Sequence, residues 1–302
     1  MRIRRLLPLI ILVCLLLVAA GSYIWLDRWQ RQTIFSVELG DSRWWREAPQ
    51  GTEVFDITLK NGEKIHSWYI ANPNPQAPSV LYLHGSRWNL NGSVFRIERW
   101  LEMGFSVLAI DYRGFGESSH VLPSQGTATQ DANAALQELA RRQPDPARRF
   151  VYGHSLGGAV AVALAVQADQ PEFAGLILES TFTSIESMIG NTRYAHIPGL
   201  AMLVTQPFNS IGTIQSVKVP ILFLHGTADS VVPHSMSDAL RAAAEKPNGP
   251  LRRVVKIEGA SHSGASRSGE AYENAIREFI AMGAQAKGDD GLGRRTATGE
   301  NH

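Results

Sequence analysis

A serine inside a glycine-bounded motif is the first candidate for chemistry in this chain. The stretch VYGHSLGGAV, residues 151–160, contains the pattern Gly153-x-Ser155-x-Gly157. Between a strand and a helix, this pattern forms a sharp turn that exposes the serine hydroxyl at the edge of a sheet. The pattern also fits an ordinary glycine-rich turn. A serine becomes a useful nucleophile only with a base that an acid orients, so the chain must supply both.

Two phosphate-binding explanations of the glycines do not fit the sequence. The segment Gly153–Gly158 matches the start of a phosphate-binding loop, but such a loop continues with Lys and then Ser or Thr. Here an alanine and a valine follow instead. A dinucleotide fingerprint that would begin at Gly114 is broken by Ser119. The glycines therefore do not predict a nucleotide cofactor.

His262 is the predicted base. It lies in EGASHSGAS, a loop of small residues directly after the last predicted strand. In the fold where this motif carries a nucleophile, the partners of the serine come from the same edge of the sheet, in the chain order serine, acid, histidine. Of the other downstream histidines, His196 lies in a predicted lid and His302 in the C-terminal tail. His234 is too near the predicted acid in sequence to reach the serine easily.

Asp229 is the predicted acid, and Glu179 is the alternative. Asp229 lies in LHGTADSVVP, just after a predicted strand, and Glu179 also follows a strand. An aspartate in this position is often only a turn or helix-cap residue. We favour Asp229 because it follows the later strand, where the acid lies in this arrangement.

An oxyanion needs two N–H donors, and the sequence predicts both. One is the backbone N–H of Leu156, directly after the serine and at the start of a predicted helix. The other is the backbone N–H of Ser86, in the loop YLHGSRWN after the first core strand, where Gly85 lets the backbone turn inward. We expect the neighbouring His84 to support the turn rather than the reaction.

The elements that must position these residues alternate along the chain. Two alternating runs around Asn61-Gly62 predict a hairpin at the start of the domain. Strands are then predicted at 79–85, 105–114, 148–155, 175–180, 219–229 and 251–259, and helices at 94–104, 128–142, 156–168, 234–245 and 269–283. Such alternation predicts an α/β fold with a mostly parallel sheet, an antiparallel edge and helices on both faces.

Four other segments complete the predicted organisation. Residues 27–50 are predicted to be a linker that packs onto the domain of residues 51–283. Residues 181–217 interrupt the alternation and are predicted to form a small inserted lid over the strand ends. The tail 284–302 has almost no large apolar residue and is predicted to be disordered.

The N-terminal run of residues 6–26 is apolar and carries no charge. As a helix it would span about 31 Å, close to the thickness of a bilayer core. Arginines at positions 2, 4 and 5 precede it, so the positive-inside rule predicts a cytoplasmic N-terminus and a domain on the far side, periplasmic if the source is bacterial. A cleaved signal peptide is the alternative, because Val18-Ala19-Ala20 resembles a cleavage site. We favour an uncleaved anchor because the apolar run continues beyond it.

Composition narrows the possible partners. The 302 residues suffice for one large α/β domain or two small ones, and the formal net charge is only +1. This near-balance gives no reason to predict a nucleic-acid partner. The single cysteine, Cys14, lies in the apolar run and excludes a disulfide within the chain. The oligomeric state is left open.

Several motifs together resemble one superfamily. LYLHGSRWN, LAIDYRGFGESS, VYGHSLGGAVAVALA, LILESTFTS, FLHGTADSVVP and EGASHS resemble, in order and spacing, the α/β-hydrolases. They look most like the membrane-anchored Bem46-like and ABHD-type serine hydrolases, over about residues 50 to 283. The resemblance implies Ser155 as nucleophile, Asp229 as acid and His262 as base. After His-Gly the family often has Asn-Ala or Asn-Gly, whereas bulky Arg87 and Trp88 occur near this position here, so no substrate preference is carried over.

The sequence therefore predicts a membrane-tethered serine hydrolase that cleaves a carboxylic ester or thioester through an acyl-enzyme. No metal or organic cofactor is expected, because a serine, a histidine and an aspartate suffice for this chemistry. Its partners would be a small-molecule or lipid ester and the membrane. Two alternatives stay open, an acyltransferase of the same fold and a catalytically silent membrane-anchored binding module.

Overall fold

One mixed sheet forms the centre of the molecule. In this computed structural model, which describes residues 2–37, 44–190, 196 and 199–282, the strands are β1 (Glu53–Thr58), β2 (Lys64–Ile70), β3 (Ser79–Leu83), β4 (Ser106–Ile110), β5 (Arg149–His154), β6 (Gly175–Glu179), β7 (Ile221–Gly226) and β8 (Arg252–Ile257). Their order across the sheet is β1-β2-β4-β3-β5-β6-β7-β8. β2 pairs antiparallel with β1 and with β4, and the pairs from β4 to β8 are parallel. This arrangement confirms the predicted mostly parallel sheet with an antiparallel edge.

Helices cover both faces of the sheet. They are α1 (Arg2–Phe35), α2 (Leu90–Glu102), α3 (Gln125–Arg142), α4 (Leu156–Leu164), α5 (Ile185–Gly190), α6 (Ser210–Thr213), α7 (Ser235–Ala244) and α8 (270–282). Alternate residues of each central strand point to opposite faces, as Leu81 and Tyr82 do in β3. Leu81 joins the apolar core under α3, α4 and α7, and Tyr82 joins the core under α2 and α8.

Two helices differ from their predicted limits. α4 was predicted over 156–168, but it ends at Leu164. α2 begins four residues before the predicted range, because the Asn89 side chain accepts the N–H of Gly92 at 3.0 Å and caps it. α3 agrees more closely with its predicted range, and a capping box formed by Ser124 and Thr127 fixes its start.

The N-terminal helix extends beyond the predicted anchor, residues 1–26, whose apolar run is residues 6–26. It is the one described helix long and apolar enough to cross a membrane, over Pro8–Phe35. Residues 27–35, predicted to be part of a linker, continue this helix, and their last turns contact the domain. Phe35 at its end is fully buried. Residues 38–43 of the predicted linker lie outside the described residues.

The predicted lid segment of residues 181–217 contains short helical turns. Its described part packs on the domain through residues such as Phe208, which is buried against Phe35. Residues 191–195 and 197–198 of the segment lie outside the described residues, so a lid over the strand ends stays a prediction. The predicted disordered tail 284–302 also lies outside them.

Candidate active site

Ser155 occupies a strained turn between β5 and α4. Its backbone has φ 54° and ψ −118°, a conformation that is costly for a residue with a side chain. The flanking glycines are required by close packing, as the sequence predicts. A Cβ added at Gly153 would lie 2.3 Å from the carbonyl oxygen of Gly157, and one at Gly157 would lie 2.2 Å from that of Leu83. The turn therefore presents the Ser155 hydroxyl ahead of the helix, as the motif requires.

The structure brings the three predicted residues together. His262 Nε2 lies 3.1 Å from Ser155 Oγ, and His262 Nδ1 lies 2.8 Å from Asp229 Oδ2. Asp229 follows β7 and His262 follows β8, so both come from the same edge of the sheet as Ser155. The two hydrogen bonds form a continuous chain from a buried carboxylate, through an imidazole, to a hydroxyl.

The surroundings of Asp229 favour its charged form. Burial acts to raise its pKa, but hydrogen bonds from His225 and His262 and from backbone N–H groups outweigh burial and hold the pKa well below its usual range. The backbone N–H groups of Val231 and Val232 each donate to Oδ1 at 2.9 Å. Asp229 is thus an ionised acceptor fixed in one orientation, which is what a base-orienting acid needs.

His225 is a second histidine that contacts the carboxylate of Asp229, and it was not among the predicted site residues. Its Nε2 lies 3.1 Å from Asp229 Oδ2 and 3.0 Å from the carbonyl oxygen of Val232. Because both neighbours are acceptors, Nε2 carries the proton, and the Ser237 hydroxyl, 2.6 Å from Nδ1, donates to the ring. The four-residue spacing of His225 and Asp229 around a strand end was the available signal.

The predicted oxyanion donors lie on either side of Ser155. Leu156 is the first residue of α4, where backbone N–H groups have no partner within the helix. Ser86 lies in the loop after β3 and lines the same cavity as Ser155. A Cβ at Gly85 would lie 3.4 Å from Ser155 Cβ, so this loop passes close to the serine, as expected. The role of the two N–H groups stays a prediction.

A cavity of about 490 Å³ opens over Ser155 and His262. Its wall combines the loops after β3, β7 and β8 with the end of α1. The lining residues besides Ser155 and His262 are Thr33, Ile34, Ser36, Gly85, Ser86, Arg87, Trp88, Ser93, Arg96, His154, Ser230, Val231, Ser261 and Ser263. The contribution of α1 was not predicted, because residues after 26 were assigned to a linker.

One orientation was predicted wrongly. The position of His154 inside the serine motif, next to Ser155, predicts a side chain that points away from the site. Instead His154 lines the cavity, and its Nε2 lies 3.0 Å from the carbonyl oxygen of His262. Burial and the nearby Arg96 guanidinium hold the pKa of His154 well below its usual range. His154 shares a strand face with Tyr152, two residues earlier, and the loop that carries His262 folds over that face.

Glu179, the alternative acid, lies in a separate buried cluster. Its Oε2 accepts the hydroxyls of Tyr152 at 2.7 Å and Tyr272 at 2.9 Å, and its Oε1 lies 3.7 Å from Arg96 Nε. Glu179 therefore contacts two tyrosines and an arginine, whereas Asp229 contacts His262. The geometry therefore favours the first choice of acid.

His84 and Asp111 support the loop after β3. Both are buried, and His84 Nε2 lies 3.5 Å from Asp111 Oδ1. Asp111 Oδ1 accepts the N–H of Leu90 at 2.8 Å. Nearby, the Arg113 guanidinium donates to Asp131 Oδ1 at 2.6 Å. Among the described residues no group of three His, Cys, Asp or Glu side chains is placed to hold a metal ion.

Several known proteins are similar to this chain in sequence. Residues 74–213 match the family described as serine aminopeptidase, S33, and residues 199–291 the family described as TAP-like protein. The Mycobacterium tuberculosis protein Rv2307c is 34% identical over 283 residues, covering 91% of this chain and 95% of the relative. The alpha/beta hydrolase domain-containing protein WAV2 of Arabidopsis thaliana is 31% identical, covering 79% of this chain and 82% of WAV2. Protein bem46 of Schizosaccharomyces pombe is 35% identical over 160 residues, 52% of each chain.

Solved structures with the same fold include esterases and peptidases. The Pyrococcus furiosus esterase Pf2001 superposes with a TM-score of 0.63 at 20% identity, over 82% of this chain and 97% of the esterase. A puromycin hydrolase superposes with a TM-score of 0.61 at 21% identity, over 83% of this chain and 41% of that enzyme. At this identity the likeness shows the fold. Taken with the relatives and the motifs, it places the chain in the α/β-hydrolase superfamily, in the Bem46-like branch.

Proposed function

We propose that this protein is a serine hydrolase that cleaves carboxylic esters or thioesters. His262 Nε2 takes the proton of the Ser155 hydroxyl as Ser155 Oγ attacks the substrate carbonyl carbon. Ionised Asp229 holds the imidazole in place and stabilises its charged form. The N–H groups of Ser86 and Leu156 donate to the oxyanion of the tetrahedral intermediate.

The second half of the reaction uses the same residues. His262 gives its proton to the leaving alcohol or thiol, and the acyl group stays on Ser155. Water then loses a proton to His262 and attacks the carbonyl carbon of the acyl-enzyme. The bond from that carbon to Ser155 Oγ breaks as His262 returns the proton to Oγ, which releases the carboxylic acid and restores the serine. These reaction steps need no metal or organic cofactor. The observation that carries the proposal is the hydrogen-bond chain from Asp229 through His262 to Ser155, at 2.8 Å and 3.1 Å.

Acyl chains from a membrane are the substrate class that we favour. α1 enters the cavity wall at Thr33, and Thr33 lies about 10 Å along the helix from Leu26, the end of the apolar run. Gln30 donates to the carbonyl oxygen of Leu203 at 2.6 Å, which holds the exposed Met202 beside the same stretch of α1. With the N-terminus in the cytoplasm, the cavity would face the opposite membrane surface at short range.

Labelling with a fluorophosphonate probe tests the reaction. We expect the wild-type protein to be labelled and Ser155→Ala to lose labelling, because the probe bonds to an activated serine. Ser263→Ala, which removes a hydroxyl from the same cavity, is the matched control and keeps it. Absence of labelling in the wild-type protein, or equal labelling of Ser155→Ala, would contradict the proposal. Either result would favour the alternative of a binding module without catalytic activity.

A series of p-nitrophenyl esters tests the substrate class. We expect kcat/KM to rise with acyl length, because a longer chain buries more apolar area in the cavity mouth and the adjoining bilayer. Turnover of only the shortest esters would reject membrane acyl chains. Detection of Met1 in the mature membrane fraction would separate an uncleaved anchor from a removed signal peptide.

A further inference from the structure

The last turn of the anchor helix is packed into the hydrolase domain. Phe35, the final residue of α1, is fully buried. Its ring meets Phe208 edge-on at 5.9 Å and Phe115 at 6.3 Å between centroids. Both partners belong to the main apolar core. A helix that served only as a flexible tether would have no need of this contact.

Polar side chains fix the preceding turns of the helix to distant loops. Arg31 Nε donates to the carbonyl oxygen of Pro123 at 2.9 Å, and Gln30 Oε1 accepts the N–H of Thr205 at 2.9 Å. Asp27 Oδ1 accepts from the side chain of Gln206 at 2.9 Å. These contacts join the helix to two loops far along the chain, so they set its rotation and its height above the domain.

The end of α1 also holds the loop that carries the predicted oxyanion donor. The Arg87 N–H donates to the carbonyl oxygen of Phe35 at 2.9 Å. That carbonyl is one of those left without a partner at a helix end, and Arg87 supplies the partner. Arg87 directly follows Ser86, so the bond acts on the peptide next to the predicted donor.

The same loop is strained. Arg87 has φ 76°, and the Trp88 N–H donates to the Ser86 carbonyl oxygen at 3.0 Å, two residues back. Together these features match a γ-turn with positive φ, a rare and strained conformation for a residue with a side chain. Strained turns persist where their surroundings hold them in place. Phe35 is the contact outside the loop that bonds the N–H of the strained residue.

We propose that Phe35 is a positioning residue for the reaction, and that the end of the membrane helix is part of the active site. Docking of Phe35 holds the γ-turn at Arg87 and thereby points the Ser86 N–H at the site of the oxyanion. The inference rests on the proposed serine hydrolase function. It adds that turnover depends on the docked helix end, even for substrates that are soluble in water.

Full-length protein in detergent micelles allows a direct test with a soluble short-chain p-nitrophenyl ester. The variant is Phe35→Ala, and the matched control is Trp29→Ala, which removes a ring from the exposed side of the same helix. Fluorophosphonate labelling run to completion counts the sites with a reactive serine, so turnover can be expressed per site. Loss of fold lowers the number of sites, whereas a misplaced oxyanion donor lowers kcat at each site.

We expect Phe35→Ala to lower kcat per site by about tenfold to 100-fold and to change KM by less than about twofold. This fall in kcat is smaller than the fall expected when an oxyanion donor is removed entirely. Trp29→Ala should match the wild type. Equal turnover per site in Phe35→Ala and wild type would overturn the inference while leaving the hydrolase proposal intact. A wild-type protein that is neither labelled by the fluorophosphonate probe nor able to turn over the ester would instead contradict the hydrolase proposal.

A second variant separates positioning from a merely structural role. Arg87→Gly keeps the N–H and allows positive φ without strain, so the loop depends less on the helix. We expect Phe35→Ala to cost at least about threefold less turnover per site in the Arg87→Gly background than in the wild-type background. An equal cost in both backgrounds would contradict the proposed role. If Phe35→Ala yields too few sites to count, Phe35→Leu is judged by the same two comparisons.

Discussion

Two pairs of histidine and aspartate lie at the same edge of the sheet, and the pKa of the aspartate is lowered in one pair and raised in the other. His262 and Asp229 follow β8 and β7, with 2.8 Å between Nδ1 and Oδ2. His84 and Asp111 follow β3 and β4, with 3.5 Å between Nε2 and Oδ1. The first pair borders Ser155 and the cavity. The second is completely enclosed beneath the loop after β3.

The number of hydrogen-bond donors decides the difference. Asp229 accepts from two backbone N–H groups and two imidazoles, and its pKa is lowered despite burial. Burial raises the pKa of Asp111 to about 8, because the N–H of Leu90 offsets only part of the lost hydration. Burial also lowers the pKa of His84 to about 4. At neutral pH the second pair is therefore uncharged, and it serves as packing rather than as an acid and a base.

Replacing the two aspartates by asparagine is the strongest test of this comparison. Asp229→Asn should lower kcat by about 10⁴-fold, because the asparagine amide cannot hold the imidazole in the required tautomer. Asp111→Asn should change kcat by less than about twofold, since asparagine resembles the protonated acid. Steady-state kinetics on one ester measures both. Similar losses in the two variants would erase the functional distinction between the pairs.

His225 offers a second test of the difference between the two aspartates. It donates a hydrogen bond to Asp229, and no corresponding imidazole donates to Asp111 among the described residues. His225→Phe keeps a ring but removes one hydrogen bond to the ionised carboxylate of Asp229. Such a bond contributes about 1.5 kcal/mol, so we expect kcat to fall by about tenfold. Ser237→Ala, which removes the contact on the far side of the imidazole, is the control and should cost less. If His225→Phe keeps full turnover, the extra donor has no role in the reaction.

Asp111→Asn has the smallest expected effect on turnover, but it should change how the stability of the fold depends on pH. An aspartate ionises near 3.9 in an unfolded chain, but Asp111 in the fold holds its proton to about 8, so its share of stability declines as pH rises between these values. The lowered pKa of His84 acts in the opposite direction between about 4 and 6.5. The two effects oppose each other below pH 6.5, and the decline from Asp111 stands alone from about 6.5 to 8.

Urea unfolding of the wild type and Asp111→Asn at pH 6.5 and pH 8 measures this effect. We expect the wild-type free energy of unfolding to fall between the two values more steeply than that of the variant. A parallel change in both proteins would mean that Asp111 is already ionised in the fold.

The sequence predicted the central site because strand ends are recognisable. Ser155 has a local motif, and the small-residue loops at Asp229 and His262 follow clear buried strands. His154 and His225 could not be assigned in the same way, because their partners are fixed by how distant loops fold over a strand end. The docked end of α1 was also missed. Its polar residues resemble a linker in the sequence, since their hydrogen-bond partners come from far along the chain.

The continuity of α1 has a mechanical consequence if α1 is the uncleaved membrane anchor that we predict. One unbroken helix runs from the apolar segment to the wall of the cavity. Such a helix would transmit its tilt to the domain packed on its end. An apolar run of about 31 Å would tilt in a thinner bilayer, and the whole domain would tilt with it. Membrane thickness would then set the angle at which the cavity mouth meets the lipid surface.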